Sequence, residues 1–394
     1  MSEPIGCFAQ LAGDVQGRLS LTVIIRIDIQ TGRKIMKVNK FEFGDICRGV
    51  LVLLLMVLVS MSAWAADPGA TYPTTSDVSD QKMGSLLFYN YYTSSGCCPS
   101  QENTRINITN THPSANVMVH LFFVDGATCS VADSFLPLVR NQTSTFVLSD
   151  IDPGVMGYLV AVAVEGPNGF SGGTNSGRPI SFNWLVGDQY IELASGHEAN
   201  LGAETFAVID DMVGGVPVPK DPAYVPNAPT ANLVFNGTAG NYNRAPQLLA
   251  LSSMPSPADS IAGYNTQIIL NRIGGSLVGN ALPIGPLFGL MYNDASMQLS
   301  FTFSSTSCQF RSQINRNFPR TTPRPNQLIP EGRTGWAKFY SMTENVGLLG
   351  AVMIANNTGN NLSLGVETLN GGRNLHKLRL ANTVEYIIPV FPPN

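Results

Sequence analysis

The residues in this chain that could do chemistry are few, and their contexts argue against reaction. Gly169-Phe170-Ser171-Gly172-Gly173 is a literal Gly-x-Ser-x-Gly. In a hydrolase that motif works because a strand enters the serine and a helix leaves it, standing the hydroxyl on a sharp turn. Here residues 168–177 form a Gly-, Ser- and Asn-rich stretch leading into another strand. Asp188 and His197 follow in triad order, but close by and on separate small elements. His197-Glu198 opens like a zinc-protease helix, yet Leu201 stands where the second histidine is required. His112, His120 and His376 lack patterned partners. The sequence therefore predicts no catalytic residues, no metal site, no cofactor and no enzyme.

Cysteines and arginines are the remaining candidates. Residues 36–66 carry Lys37, Lys40 and Arg48, an apolar run over 50–59, and Ser60-Met61-Ser62-Ala63-Trp64-Ala65. A basic start, a short apolar core and small residues at −3 and −1 make a secretory signal, with cleavage expected after Ala65. A spanning helix needs about 20 apolar residues, so the membrane is met only transiently. Residues 1–35 read as a spurious extension and 36–65 as the signal, which predicts a secreted protein, whether periplasmic, cell-surface or extracellular. Cys97, Cys98, Cys129 and Cys308 then enter an oxidising compartment, where at least one disulfide is expected. Four cysteines allow three pairings. Cys97 or Cys98 with Cys129 is the local option, and a vicinal Cys97–Cys98 bridge is the strained one. A zinc site lacks its second Cys-x-x-Cys or paired histidines.

Arg311, Arg316, Arg320, Arg324 and Arg333 lie in or next to an acid-free stretch, 295–330. They are the candidate contact for an anionic partner. No interleaved aromatic platform accompanies them, so no nucleic-acid partner is expected. Charge is split along the chain. Residues 66–230 hold 5 Lys/Arg against 16 Asp/Glu, a net of −11, and residues 231–394 hold 11 against 6, a net of +5. Two readings follow: halves that differ only in surface composition, or an acidic unit that docks on a basic one.

Positioning these residues requires strands. The few charges, many turn formers and short apolar runs predict an all-β chain of two β-sandwich domains. The expected organisation is a flexible lead-in over 66–84, an acidic sandwich over 85–212, a Pro-rich linker over 213–230 and a basic sandwich over 231–394. Strand signals include residues 85–92, 105–109, 117–123, 180–186, 297–303, 348–354 and 384–390. Residues 158–164 are apolar on both faces, as in a central strand of a packed sandwich. Ser195 and Glu198 have capping-box spacing, which predicts one short helix running to Phe206. The halves share an echo: Cys129 precedes Gly154-Val155-Met156-Gly157-Tyr158 much as Cys308 precedes Gly332-Arg333-Thr334-Gly335-Trp336. A duplication and a chance match of abundant glycines both fit it.

Ile106-Asn107-Ile108-Thr109-Asn110-Thr111, residues 117–125, Asn141-Gln142-Thr143 and Asp152-Pro153-Gly154-Val155-Met156-Gly157-Tyr158 resemble immunoglobulin-like β-sandwich modules of bacterial surface proteins, over roughly residues 85–195. The whole chain resembles uncharacterised secreted bacterial proteins, a family that implies no activity and transfers no functional residue. The expected function is a non-enzymatic structural or adhesive protein with a protein or polysaccharide surface partner. The alternative is a glycan-binding module, which the cluster Tyr89, Tyr91 and Tyr92 invites as much as a tyrosine-rich core does. A third reading is a secreted serine hydrolase using Ser171.

Overall fold

The computed structural model describes residues 7–13, 19–25, 78–167, 176–194, 197–257, 264–356 and 371–391. The chain divides into two compact units, 1–70 and 71–394. In the first, β1 (Cys7–Gly13) pairs antiparallel with β2 (Leu19–Ile25). The signal segment lies outside the described residues, as do Ser171 with its loop and Ser195.

The second unit is almost entirely β. Its first half carries β3 (Leu86–Thr93), β4 (Asn103–Asn110), β5 (Val117–Asp125), β6 (Val131–Leu138), β7 (Gln142–Val147), β8 (Met156–Val164), β9 (Leu185–Glu192), β10 (Glu198–Gly202) and β11 (Glu204–Phe206). A small hairpin, β12 (Asp211–Val213) and β13 (Val216–Val218), and then β14 (Thr230–Phe235) lead onward. The second half carries β15 (Pro246–Pro255), β16 (Tyr264–Ile273), β17 (Gly275–Ser276), β18 (Gly285–Asn293), β19 (Gln298–Ser305), β20 (Gln309–Ile314), a one-turn α1 (Pro325–Leu328), β21 (Thr334–Ser341), β22 (Gly347–Asn356), β23 (Gly371–Asn374), β24 (His376–Leu380) and β25 (Val384–Pro389).

The two halves repeat one topology. The first stacks a sheet ordered β11-β3-β8-β5-β6 on one ordered β10-β9-β4-β7. The second stacks β24-β15-β21-β18-β19 on β23-β22-β16-β20. Strands β3 to β11 thus correspond, in chain order, to β15, β16 and β18 through β24. The Gly-x-x-Gly-aromatic echo marks equivalent places in this repeat. Gly154 and Gly332 both turn with positive φ, at 81° and 74°. A Cβ on Gly157 would collide with the Val124 carbonyl, and one on Gly335 with the Tyr292 carbonyl. At both sites the following strand enters too close to its neighbour for a side chain. The cysteine part of the echo is not equivalent: Cys129 lies between β5 and β6, Cys308 between β19 and β20.

Three expectations need correction. The segment from Glu198 to Phe206 is strand rather than helix, because Ala199 and Leu201 are buried while Glu198 and Asn200 are exposed. That is a period of two, and β10 pairs with β9 through Ala199↔Ile191 and Leu201↔Gln189. The strand expected over 180–186 begins only at Leu185. The lead-in is docked from Val78 onward: Val78 is buried, and Ser79 bridges to Thr205.

A third layer joins the halves. The outer face of β3, β5 and β8, including Phe88, Phe122, Val124, Val160 and Val162, packs on a small sheet ordered β14-β25-β17 through Leu233, Phe235, Tyr386 and Ile388. β8 is therefore buried on both sides, which is why its sequence is apolar on both faces. The outer face of β16 and β22, through Ile269, Ala351 and Met353, packs on Tyr91, Ile191, Ala199 and Leu201. Cys129 and Cys308 form a disulfide inside the first of these contacts, Cα–Cα 5.4 Å, across 179 residues of sequence.

Candidate functional site

The junction between the halves uses polar groups for assembly. Asn271 Nδ2 donates to the Asn90 carbonyl at 2.8 Å, Gln309 Nε2 donates to Asn271 Oδ1 at 2.8 Å and to the Gly157 carbonyl at 3.1 Å, and Asn90 Nδ2 donates to Asn374 Oδ1 at 2.9 Å. Asn374 Nδ2 passes the chain on to Asp80 and to the Gly202 carbonyl. This buried network fixes the register of one half on the other. Among the described residues one ion pair crosses between acidic and basic halves: Lys377 Nζ donates to Glu204 Oε2 at 2.5 Å. Burial pushes the Glu204 carboxyl up to about 7, with Lys377 pulling it back down. Beside this pair a cleft of about 570 Å³ is lined by Asp80, Asn200, Arg373, Asn374, His376 and Lys377, among others.

The predicted arginines do not gather into one site. Arg311 lies over the Tyr91 ring, 5.8 Å from its centroid. Arg333 makes a two-pronged contact with Asp294, Nε to Oδ2 at 2.5 Å and Nη2 to Oδ1 at 2.7 Å. Arg316, Arg320 and Arg324 are exposed on the segment between β20 and β21, and among the described residues none pairs with a carboxylate. That segment is held from beneath by buried Pro319, Pro325, Leu328 and Ile329 and by Phe318, which packs on Phe301, Phe303 and Phe310. The three guanidiniums are thus displayed on a pinned loop.

Other predicted chemistry dissolves into structure. His120 is fully buried against Phe122 and Phe135, its Nε2 bonded to Asp133 at 2.9 Å, and burial holds it below its ordinary range. His112 packs on Phe182 and Trp184. His197 and Glu198 stand on or beside a strand, with Leu201 buried. Tyr89, Tyr91 and Tyr92 are core residues: the Tyr89 hydroxyl donates to the Asn107 carbonyl at 2.8 Å and that of Tyr92 to Asp152 at 2.7 Å. No sugar can stack on them. Cys97 and Cys98 are unpaired by disulfide and lie at the surface.

The surface that does stand out is the outer face of the second sandwich. In cross-strand register, Phe288 faces Tyr340, Leu290 faces Lys338 and Tyr292 faces Trp336. All six side chains are half-buried. The Tyr292 and Trp336 rings stack at 4.3 Å with 11° between planes, Phe288 and Tyr340 meet at 5.0 Å, and Lys338 Nζ lies 5.0 Å from the Trp336 ring centroid. Cross-strand aromatic pairs of this kind stiffen a sheet and offer a flat amphipathic surface. The Arg333–Asp294 pair flanks the row at the Tyr292–Trp336 end.

No known protein-family model matches the chain, and no curated protein matches its sequence.

The geometry alone singles this face out. Among the described residues, two of the four outer sheet faces are covered. The open face of the first half carries Arg105, Asn107, Thr109, Thr143, Thr145, Asp188 and Tyr190, polar groups that bond one another, as in Asn107 Nδ2 to Asp188 Oδ1 at 2.5 Å and Thr109 to Thr143 at 2.7 Å. The open face of the second half carries aromatic rings in their place. The alternations Phe288-x-Leu290-x-Tyr292 and Trp336-x-Lys338-x-Tyr340 were the available sequence signal for it.

Proposed function

We propose that this is an exported, non-enzymatic structural or adhesive protein that holds a surface polymer on the outer face of its second sandwich. The observation supporting this is the aromatic row Phe288, Tyr292, Trp336 and Tyr340 with Lys338, left open where the equivalent face of the first half is covered. Tyrosine and tryptophan suit a surface that must be wet when free and apolar when bound. The polymer class that fits is a polysaccharide bearing acid groups. Its sugar rings would lie on the aromatics, and its carboxylates would meet Lys338 and the displayed Arg316, Arg320 and Arg324. Nucleic acid fits less well, because the rings next to the arginine loop are packed into the core rather than free for bases. The buried Cys129–Cys308 disulfide supports export, since such bonds persist in oxidising compartments.

Binding to immobilised polygalacturonate, dextran and single-stranded DNA tests the proposal. Trp336→Ala with Tyr340→Ala should weaken polygalacturonate binding at least tenfold, about 1.4 kcal/mol. Arg316→Ala, Arg320→Ala and Arg324→Ala together should remove most of its salt dependence. Binding to none of the polysaccharides, or to DNA in preference, would sink the reading.

A further inference from the structure

Cys97 and Cys98 sit on the loop that carries the chain from β3 in one sheet to β4 in the other, at one end of the first sandwich. The loop is built rather than loose. Ser95 N donates to the Glu102 carbonyl at 3.0 Å, Gln101 N donates to the Cys98 carbonyl at 2.9 Å, and the Thr93 hydroxyl donates to Glu102 Oε1 at 2.6 Å. Ser94 Oγ ties its start to the Asp152 carbonyl at 2.6 Å. Within this frame the two sulfurs lie 2.8 Å apart, inside van der Waals contact and poised to bond. Ser95 Oγ lies 3.5 Å from Cys97 Sγ and accepts the Cys98 N–H at 3.2 Å. Cys97 is exposed and Cys98 partly so, which leaves the outer sulfur open to an incoming reagent.

We propose that Cys97 and Cys98 are a reversible thiol–disulfide exchange site, with Cys97 the attacking sulfur and Cys98 the resolving one, acting on small or protein-borne disulfides outside the cytoplasm. The asymmetry is physical. Cys97 is the exposed sulfur and Cys98 the partly buried one, and their contact draws the Cys97 thiol below the ordinary range, Ser95 adding to the effect, while it pushes the Cys98 thiol up. The Cys97 thiolate attacks a disulfide RS–SR, an Sγ–S bond forms, the S–S bond breaks, and RS⁻ leaves and takes up a proton. Deprotonated Cys98 then attacks Cys97 Sγ and expels the second RS⁻. Two protein thiols are oxidised to one disulfide and RS–SR is reduced to two RSH. Adjacent Cα atoms are held about 3.8 Å apart, shorter than the usual 4.4–6.8 Å for a bridge. The closed ring is therefore strained and readily reopened. Cys129–Cys308, buried and with Cα atoms 5.4 Å apart, has neither property.

The test equilibrates the full-length chain with graded ratios of glutathione to glutathione disulfide, quenches with acid, alkylates, and maps each cysteine by mass spectrometry. Cys97 and Cys98 should titrate together as one two-electron couple while Cys129–Cys308 stays closed throughout. Cys98→Ser should trap one glutathione on Cys97, and Cys97→Ser should take up glutathione at Cys98 at least tenfold more slowly. Ser95→Ala should move the pH midpoint of Cys97 alkylation upward, a shift that a purely structural loop would not show. A glutathione adduct that persists in the unaltered chain, two sulfurs that titrate separately, or disulfide-linked dimers on a non-reducing gel would each overturn the proposal.

Discussion

Two equivalent surfaces of the repeated sandwich have met opposite fates. The outer face of β3, β5 and β8 is roofed by β14, β25 and β17; it is mostly hydrocarbon, Phe88, Phe122, Val124, Val160 and Val162, and its polar tips are met inside, the Tyr158 hydroxyl by that of Tyr386 at 3.4 Å and His120 Nε2 by Asp133 at 2.9 Å. The outer face of β15, β18 and β21 has no roof within the described residues, and there the positions equivalent in the sheet hold Tyr, Trp and Lys beside Phe and Leu. The backbone plan is the same, so the difference lies in what the side chains must do with water. A permanently dry face can be almost wholly hydrocarbon, provided each polar tip on it finds a partner inside the protein. A face that is wet for part of its life needs a hydroxyl, an indole N–H or an ammonium at its rim.

The sharpest way to break this contrast is to remove one ring from each face. Phe122→Ala should cost about 3–5 kcal/mol of stability, because it opens a cavity in a closed core. Trp336→Ala should cost about 1 kcal/mol or less, since water can fill its place. Urea denaturation reads both, and equal costs would mean that the second face is dry and roofed after all.

A smaller effect probes whether the roofed face welds the halves together. Replacing Cys129 and Cys308 with serine should cost about 2–4 kcal/mol, reading the bridge as a constraint on the unfolded chain. Unfolding should remain a single transition, because the shared core of Phe88, Phe206, Leu233 and Tyr386 is untouched. Two separated transitions would show that the disulfide, and not the packing, makes the halves one body.

The ion pair at the edge of the junction shows itself only as a slope with pH. Glu204 is raised to about 7 when folded, against 4.5 for an ordinary glutamate, so the folded chain holds its proton longer. Stability from this group is greatest at low pH, falls as pH rises from about 4.5 to about 7, and is level above that. Glu204→Gln should remove about 3 kcal/mol of that slope. His120 tilts the other way, because its folded value is depressed and stability is lost as pH falls through it. The difference between variant and parent chain therefore isolates Glu204, and an unchanged slope would mean that the carboxylate is already compensated at neutral pH.

Of the two readings of the charge split, the compositional one fits better: the contact is made mainly by apolar side chains and amides, with the single Lys377–Glu204 pair crossing it among the described residues. Net charge counts surface residues, and surfaces away from the contact carry most of them. The apolar run 158–164 was legible as a doubly buried strand, although its second cover turned out to be a third sheet assembled from β14 and β25, some 150 residues apart. The Gly-x-x-Gly-aromatic echo was visible but fitted chance as well as duplication; the close approach that only glycine allows at Gly157 and Gly335 shows once the strands pair. That a disulfide would form was legible, but its pairing was not, because Cys129 meets a partner 179 residues away through packing that no local spacing encodes. The aromatic row was hidden for the same reason: each strand shows three alternating residues, and the surface exists only once β18 and β21 pair. The capping-box spacing at Ser195 and Glu198 misled because a strand of five residues alternates too briefly to be told from a helical turn.

The Cys129–Cys308 bridge also has a mechanical meaning. If the main unit is gripped at its two ends and pulled, tension passes straight from Cys129 to Cys308 through the covalent bond. The 179 residues of separation between them lie off the load path. Fully drawn out, that length would amount to about 600 Å of slack at roughly 3.4 Å per residue. While the bridge is closed none of it can be paid out, whatever happens to the hydrogen bonds, and reduction turns a short stiff link into a long tether.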